Sequence, residues 1–321
     1  MPFKYWSLLT KTISRHKNGR PLLKPKSGTF YSRAIYNPAA ITNENRAHLL
    51  FRAEKSWDNC TGRIGLAVET RPLSYKFSIF SKPILWPEFD YECFGCEDPR
   101  ITKIRSTYIM TYTGFGKARN GRRFPRVCLA TSKDLKKWEK HGPIFDEKDW
   151  YARGTKPGGI VPHKLNGSYI MHFSGENSGG KVAIGLASSR GENFYKWRIK
   201  KNPILSPKIG GFDSKGVEPG PTATISGNKI TLIYNGWNEY RTHRPGIALF
   251  HKENPSKLMC RGDKSFAEAE TKWETKGMTW RGLPKKIIFA AGYIERGGKQ
   301  EIYYGASDLY VCLFLAPSRI L

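Results

Sequence analysis

An all-β fold, a five-bladed β-propeller spanning residues 1–321 as a single domain, is what the sequence predicts, and two periodicities predict it. The stretches HLLFRAEK, YIMTYTGF, YIMHFSGE, ITLIYNGW and EIYYGASD align on an aromatic at Phe51, Tyr112, Phe173, Tyr234 and Tyr304, spaced by 61 residues three times and by 70 once. Each is followed by a second segment of small and β-branched residues: RIGLAVE, RVCLATS, VAIGLAS, GIALFH and YVCLFLA. An earlier strand precedes the aromatic by 13 residues in four copies, at Pro38, Pro99, Ile160 and Pro221. Short strands recurring at a fixed period, with scarcely any helical periodicity, predict a radial array of small sheets around a channel. A β-sandwich uses similar strands but does not require five copies in phase. The last strands, EIYYGASDLYVCLFLAP, are expected to close the ring beside N-terminal strands.

Composition narrows the function classes. Apolar residues make up 39% of the chain and no apolar run approaches the roughly 18 residues of a membrane span, so no membrane partner is expected. The start, MPFKYWSLLTKTISRHKNG, has too short an apolar core and too many charges for a secretory signal, and a cytoplasmic protein is expected. The sequons at Asn59 and Asn166 carry little weight in that setting. The six cysteines are scattered; Cys93-x-x-Cys96 lacks the second pair of a zinc site, and reduced thiols are expected. The histidines show no H-x-x-x-H spacing, ARGTKPGG lacks the phosphate-loop pattern, and neither metal nor cofactor is expected. A net charge of +27 attracts nucleic acid, phosphates or acidic glycans. The basic residues are nevertheless spread through loops such as GKARNGRRFPR and RIKKNPILSPK, without a nucleic-acid recognition motif. A non-catalytic module binding acidic glycan or nucleic acid is the rival reading.

In a propeller the leading strands of the repeats line the channel mouth, so residues at matching offsets converge there. Asn37, Asp98 and Glu218 sit near the aligned starts of leading strands, and Arg52, Glu54, Glu176 and Asp308 at the far ends of the next ones. A ring of carboxylates with arginines and aromatics, among them Arg100 and Tyr112, suits carbohydrate chemistry. Acids protonate a leaving oxygen or activate water, and aromatic faces stack on sugars. The plain alternative is that Glu97 and Asp98 pair with Arg100 and fix a turn. The residues alone leave both readings open.

GCEDPRITKI followed by TYIMTYTGF and RVCLATSKDLKKWEKHG resembles family 130 of the glycoside hydrolases, and NPAAI, LLFRAE, DSKGVEPGPTA, LIYNGW and YYGASD extend the resemblance over nearly the whole chain. The resemblance implies a five-bladed propeller acting on β-mannosides with inversion, by phosphorolysis or by hydrolysis, from a β-linked mannose end. It makes Asp98 the general acid, its proton passing through a hydroxyl of the bound sugar, and Asn37, Arg52 and Asp308 the holders of the terminal mannose. An oligosaccharide is the implied partner, joined by inorganic phosphate only in a phosphorylase.

Phosphorylases of the family carry a YHG stretch whose histidine helps bind phosphate, where this chain has YNG with Asn235. The hydrolases resemble it at Glu176 and Glu218, two carboxylates that repel a phosphate dianion and suit a base behind water. A hydrolase with Asp98 as acid and Glu218 or Glu176 as base, favouring β-1,2-linked mannose, is therefore expected. The alternative is a phosphorylase making mannose 1-phosphate, with Lys156, Arg63 and Asn235 as the phosphate site.

Overall fold

The computed structural model describes residues 12–56, 61–145, 151–278 and 284–318. Asn59 and Cys60 lie outside the described residues, as does the start of the N-terminal segment. The chain is all-β, with one short α-helix at Lys272–Thr275 among the described residues and no helix long and apolar enough to cross a membrane.

Each repeat of the sequence is one antiparallel meander. The first is Ala34–Asn43, Arg46–Glu54, Arg63–Glu69 and Phe77–Ile79; the second is Gly95–Ile104, Thr107–Lys117, Arg123–Ser132 and Glu139–Pro143. The third runs through Gly154–Lys156, Tyr169–Glu176, Val182–Ser189 and Arg198–Ile199. The fourth splits its leading strand into Gly216–Pro219 and Thr224–Ser226, then adds Lys229–Trp237, His243–His251 and Leu258–Arg261. One parallel pair, Val182 with Gly216, joins the third and fourth meanders into a single sheet. The fifth, Ile288–Arg296, Lys299–Ala306 and Tyr310–Pro317, takes its outer strand from Ser14–Arg15.

The aligned aromatics explain the repeat. Phe51, Tyr112, Phe173, Tyr234 and Tyr304 are all fully buried. Their partners on the next strand are Gly65, Cys128, Gly185, Gly246 and Cys312, so every ring lies opposite a residue small enough to admit it. A Cβ on Gly65 would stand 2.4 Å from the Phe51 ring. Where the aromatic is tyrosine, its hydroxyl donates to a buried carboxylate: Tyr112 to Glu92 at 2.8 Å, Tyr234 to Asp213 at 2.7 Å and Tyr304 to Glu274 at 2.8 Å. Each carboxylate in turn meets a cation from the outermost strand of that meander: Lys140, Arg261 and Arg15. Tyr112 therefore belongs to the core. Its expected place among the sugar-binding residues is corrected, because its ring fills the gap left by Cys128 and its hydroxyl is committed to Glu92.

Five apolar clusters lie between consecutive meanders: first with second, second with third, third with fourth, fourth with fifth, and fifth with first. A sheet covered on both faces needs apolar residues at successive positions, which is why the middle strands read as continuous hydrophobic runs. Between the third and fourth meanders a buried histidine interrupts this. His172 is buried beside Phe250, and neither ring nitrogen has a hydrogen-bond partner.

Two stability predictions follow from this packing. Tyr112→Phe should cost about 1–3 kcal/mol, since it leaves the buried Glu92–Lys140 pair short of a donor. Urea unfolding reads the loss, and turnover of the folded fraction should be unchanged. For His172, burial pushes the imidazole down to about 4 from its ordinary 6.5. The unfolded chain thus binds the proton more readily, so the stability present above pH 6.5 is lost as pH falls through this window. Relative to His172→Leu, the wild type should lose about 2 kcal/mol between pH 7 and pH 5. Parallel unfolding profiles for the two proteins would contradict this.

Candidate active site

The leading strands of the first two meanders share a backbone break. Asn37 and Asp98, 61 residues apart, both adopt a left-handed conformation, with φ 47° and 50°, immediately before a proline. Strand pairing slips at the same places, between Tyr36 and Ala39 and between Glu97 and Arg100. A residue before proline ordinarily stays extended, and only asparagine and aspartate among common side chains tolerate positive φ readily. The bulge re-aims both side chains, and Asn37 Nδ2 donates to Asp98 Oδ1 at 2.8 Å.

These residues floor a cleft of about 890 Å³. Arg52 donates to Glu97 at 2.9 Å and to Glu54 at 2.8 Å, and its guanidinium lies 3.5 Å from Asp98. Lys156 Nζ stands between two acids, 3.4 Å from Asp98 and 4.0 Å from Glu218. Burial works to raise the Asp98 pKa, but Lys156, Arg52, the Asn37 amide and Arg100 outweigh it and hold the carboxyl well below the usual range. Glu97 goes the other way: burial and the neighbouring Asp98 charge raise it despite Arg52. Lys156 is held above the ordinary lysine value, by Glu218 first and then by Asp98 and Glu97 against the cost of burial. The floor is thus an ionised carboxylate inside a cage of cations.

Glu176 lines the same cleft, 37% exposed and 3.6 Å from Arg153. Asp308 lines it too, from a left-handed turn with φ 55°. The structure therefore brings together Asn37, Arg52, Asp98, Lys156, Glu176, Glu218 and Asp308.

Besides Tyr112, three further expected site residues lie elsewhere. Asn235 is fully buried and bridges the backbone of Ala290, donating to its carbonyl at 2.9 Å and accepting from its N–H at 2.8 Å. The pairing of the fifth leading strand slips just there, between Ala290 and Gly292, and the amide serves that irregular backbone rather than a ligand. Arg63 donates to the Thr61 carbonyl and is not among the residues lining the cleft. Arg100 is buried and donates to the carbonyls of Gly220 at 2.5 Å, Pro99 at 2.9 Å and Pro219 at 3.2 Å. It ties the second leading strand to the fourth, and it meets Asp98 at the main-chain carbonyl, 3.3 Å away, rather than in an ion pair with the carboxylate. It also lines a second cavity, of about 410 Å³, reached by the later residues of the leading strands.

Sequence reasoning missed much of the wall. Tyr36 lies in it and donates to Glu54; Trp237 and His243 lie directly opposite each other across one hairpin, rings stacked at 5.2 Å. Burial keeps His243 below the ordinary histidine value. LIYNGW ends on Trp237, so attention to the end of that motif rather than its asparagine finds this wall. Among the described residues no group of three or more His, Cys, Asp or Glu side chains is placed to hold a metal.

Comparison with known proteins bears on the chemistry. A 1,2-beta-oligomannan phosphorylase from Thermoanaerobacter sp. (strain X514) is 32% identical over 301 residues, covering 91% of this chain and 93% of the relative. A beta-1,2-mannobiose phosphorylase from the same organism is 32% identical over 308 residues, covering 92% and 94%. A solved structure from work on the GH130 family of mannoside phosphorylases, which contains glycoside hydrolases that target beta-1,2 mannosidic linkages in Candida mannan, superposes with a TM-score of 0.82 at 27% identity, covering 96% of this chain and 94% of that one.

These relatives overturn the expectation of a hydrolase. They are phosphorylases across nine-tenths of the chain, and the departure at Asn235 on which that expectation leaned falls outside the cleft. The two glutamates do not exclude phosphate either, since Lys156 stands beside Glu218 and Arg153 beside Glu176. A family model described as beta-1,4-mannooligosaccharide phosphorylase matches residues 20–321, and the chain belongs to glycoside hydrolase family 130.

Proposed function

We propose that this protein is a β-mannoside phosphorylase that takes the terminal mannose from a β-1,2-linked oligomannoside and transfers it to inorganic phosphate. The observation that carries this reading is the cationic cage around Asp98. Lys156, partly exposed, and Arg52, mostly covered, sit among carboxylates in the cleft floor, where positive charge is placed to meet a dianion. The names of the 32% identical relatives support the linkage.

The proposed reaction balances without a further reactant. The bond from C1 to the bridging oxygen breaks, and a phosphate oxygen bonds to C1 from the opposite face, giving α-mannose 1-phosphate. The leaving oxygen takes a proton from Asp98, through a hydroxyl of the bound sugar, and hydrogen phosphate returns one to the carboxylate. Asp98 is ionised in the free cleft, and a phosphate dianion drawing on Lys156 weakens the cage and raises the proton affinity of Asp98. Charging the acid is thereby coupled to arrival of the second substrate. Asn37, Arg52 and Asp308 are proposed to hold the terminal mannose, while Glu218 and Glu176 position Lys156 and Arg153 rather than activating water.

The architecture proposed with this function is one domain of five blades around an axis. Its support is the cyclic set of five apolar clusters and the course of the leading segments. In all five repeats these run from the cleft to the second cavity: Asn37 to Ile41, Asp98 to Lys103, Lys156 to His163, Glu218 to Ile225, and Phe289 to Ile294. Arg100 lies between the two openings, so a chain end entering the cleft meets a closed floor, which favours attack on a terminal sugar.

Consumption of β-1,2-mannobiose should rise hyperbolically with phosphate and be negligible without it. Lys156→Met should raise the KM for phosphate at least about tenfold, since one charge-assisted contact is lost; a rate independent of phosphate would overturn the reading. Asp98→Asn should keep the fold and lose about 100- to 10,000-fold in kcat, the usual worth of general acid assistance. Near-normal turnover of an unactivated mannoside by that variant would leave Asp98 a structural residue.

A further inference from the structure

We infer that Tyr240 is the stacking platform of a distal sugar subsite, which grips oligomannosides longer than the cleft itself holds; the inference rests on the mannoside reading of the cleft. Tyr240 is 86% exposed, the most exposed aromatic among the described residues. It sits at the tip of the hairpin between Lys229–Trp237 and His243–His251. The residues on both sides of it line the cleft: Trp237, Asn238 and Glu239 before, Arg241 and His243 after. Tyr240 itself is not a lining residue, so the hairpin tip carries it beside the opening rather than inside it.

The tip is also held in shape. Asn238 Oδ1 accepts the N–H of Tyr240 at 3.2 Å and of Thr242 at 3.3 Å, while its carbonyl accepts the N–H of Arg241 at 3.0 Å. Arg241 takes the left-handed conformation, φ 53°, that closes the turn. Lys215 clasps the hairpin from the neighbouring segment, its N–H donating to the Trp237 carbonyl at 3.0 Å and its ammonium 3.3 Å from Glu239. A single exposed ring is common on a protein surface; what sets Tyr240 apart is that a pinned turn holds it between residues that line the cleft, the kind of loop position that carries binding residues.

The chemistry of the partner follows from the contrast between floor and rim. The floor is ionic and polar, suited to the hydroxyls of the terminal mannose and to phosphate. The rim offers an apolar face whose negative π-cloud attracts the C–H face of a pyranose. A disaccharide is held by the floor, whereas third and later mannosyl units emerge at the mouth and meet Tyr240. The residue thus sets chain-length preference without touching the reacting atoms.

The test compares Tyr240→Ala and Tyr240→Phe with wild type on β-1,2-mannobiose and β-1,2-mannotetraose. Phosphorolysis is measured at saturating phosphate, and binding by calorimetry without phosphate. Tyr240→Ala should weaken tetraose binding and raise its KM about tenfold, with kcat, mannobiose kinetics and Tm within experimental spread. Tyr240→Phe keeps the ring face and should behave as wild type. An equal loss on both substrates makes Tyr240 a support for the hairpin, and no loss on either removes the subsite; both outcomes overturn the inference. Failure of the wild type to bind either mannoside sinks the mannoside reading itself, while wild-type binding without phosphate-dependent turnover sinks only the phosphorylase assignment.

Discussion

The cleft depends on one backbone constraint: the left-handed break before proline that the first two leading strands share. A regular strand alternates its side chains, so a leading strand passing through the cleft floor would offer every second residue to it. At Asn37 and Asp98 the bulge takes one residue out of register and turns it into the floor, where the two side chains bond to each other. Residues held at positive φ cost of order 1–3 kcal/mol each. The surrounding packing imposes that cost: a Cβ on Gly305 would lie 2.4 Å from Asn37 Oδ1, so only a glycine in the neighbouring strand leaves room for the asparagine. Once the break is in place, Arg52, Lys156 and Glu97 arrange themselves around the resulting charge.

The charge then shapes what the floor can hold. An isolated buried carboxylate is neutral at pH 7, which would suit an acid but not a site for a dianion. Here the cations reverse that, leaving the floor ionised and the second carboxylate, Glu97, as the group whose pKa is raised. Such a floor takes up a proton more readily when something competes for its cations, and in the proposed reaction phosphate is that competitor.

Much of the fold was legible because the aromatics of the middle strands must be in phase: each needs a small partner on the next strand, and Gly65, Cys128, Gly185, Gly246 and Cys312 supply it. The floor was legible for the same reason, since equal offsets place Asn37 and Asp98 side by side. The periodicity does not say which way a side chain faces, and there the sequence reading failed. Tyr112 shares its offset with core rings, so it points at Glu92 rather than at sugar. Asn235 lies one residue after such a ring and bonds to the Ala290 backbone, which no pattern in the chain announces. Arg100, beside Asp98 in sequence, spends its donors on carbonyls of its own strand and of the fourth leading strand, because the bulge that turns Asp98 toward the cleft leaves Arg100 on the other side. Trp237, His243 and Tyr240 escaped notice because the fourth hairpin has no counterpart of similar composition in the other repeats.

The most direct test of the phosphorylase account follows the oxygen that arrives at C1. β-1,2-Mannobiose is turned over in ¹⁸O-water with unlabelled phosphate, and the products are weighed by mass spectrometry. Phosphorolysis gives mannose 1-phosphate without solvent label, its C1 oxygen having come from phosphate, together with an equal amount of unlabelled mannose released as the leaving sugar. Free mannose carrying one solvent oxygen at C1 as the main product, after correction for exchange at the free anomeric centre, would contradict it.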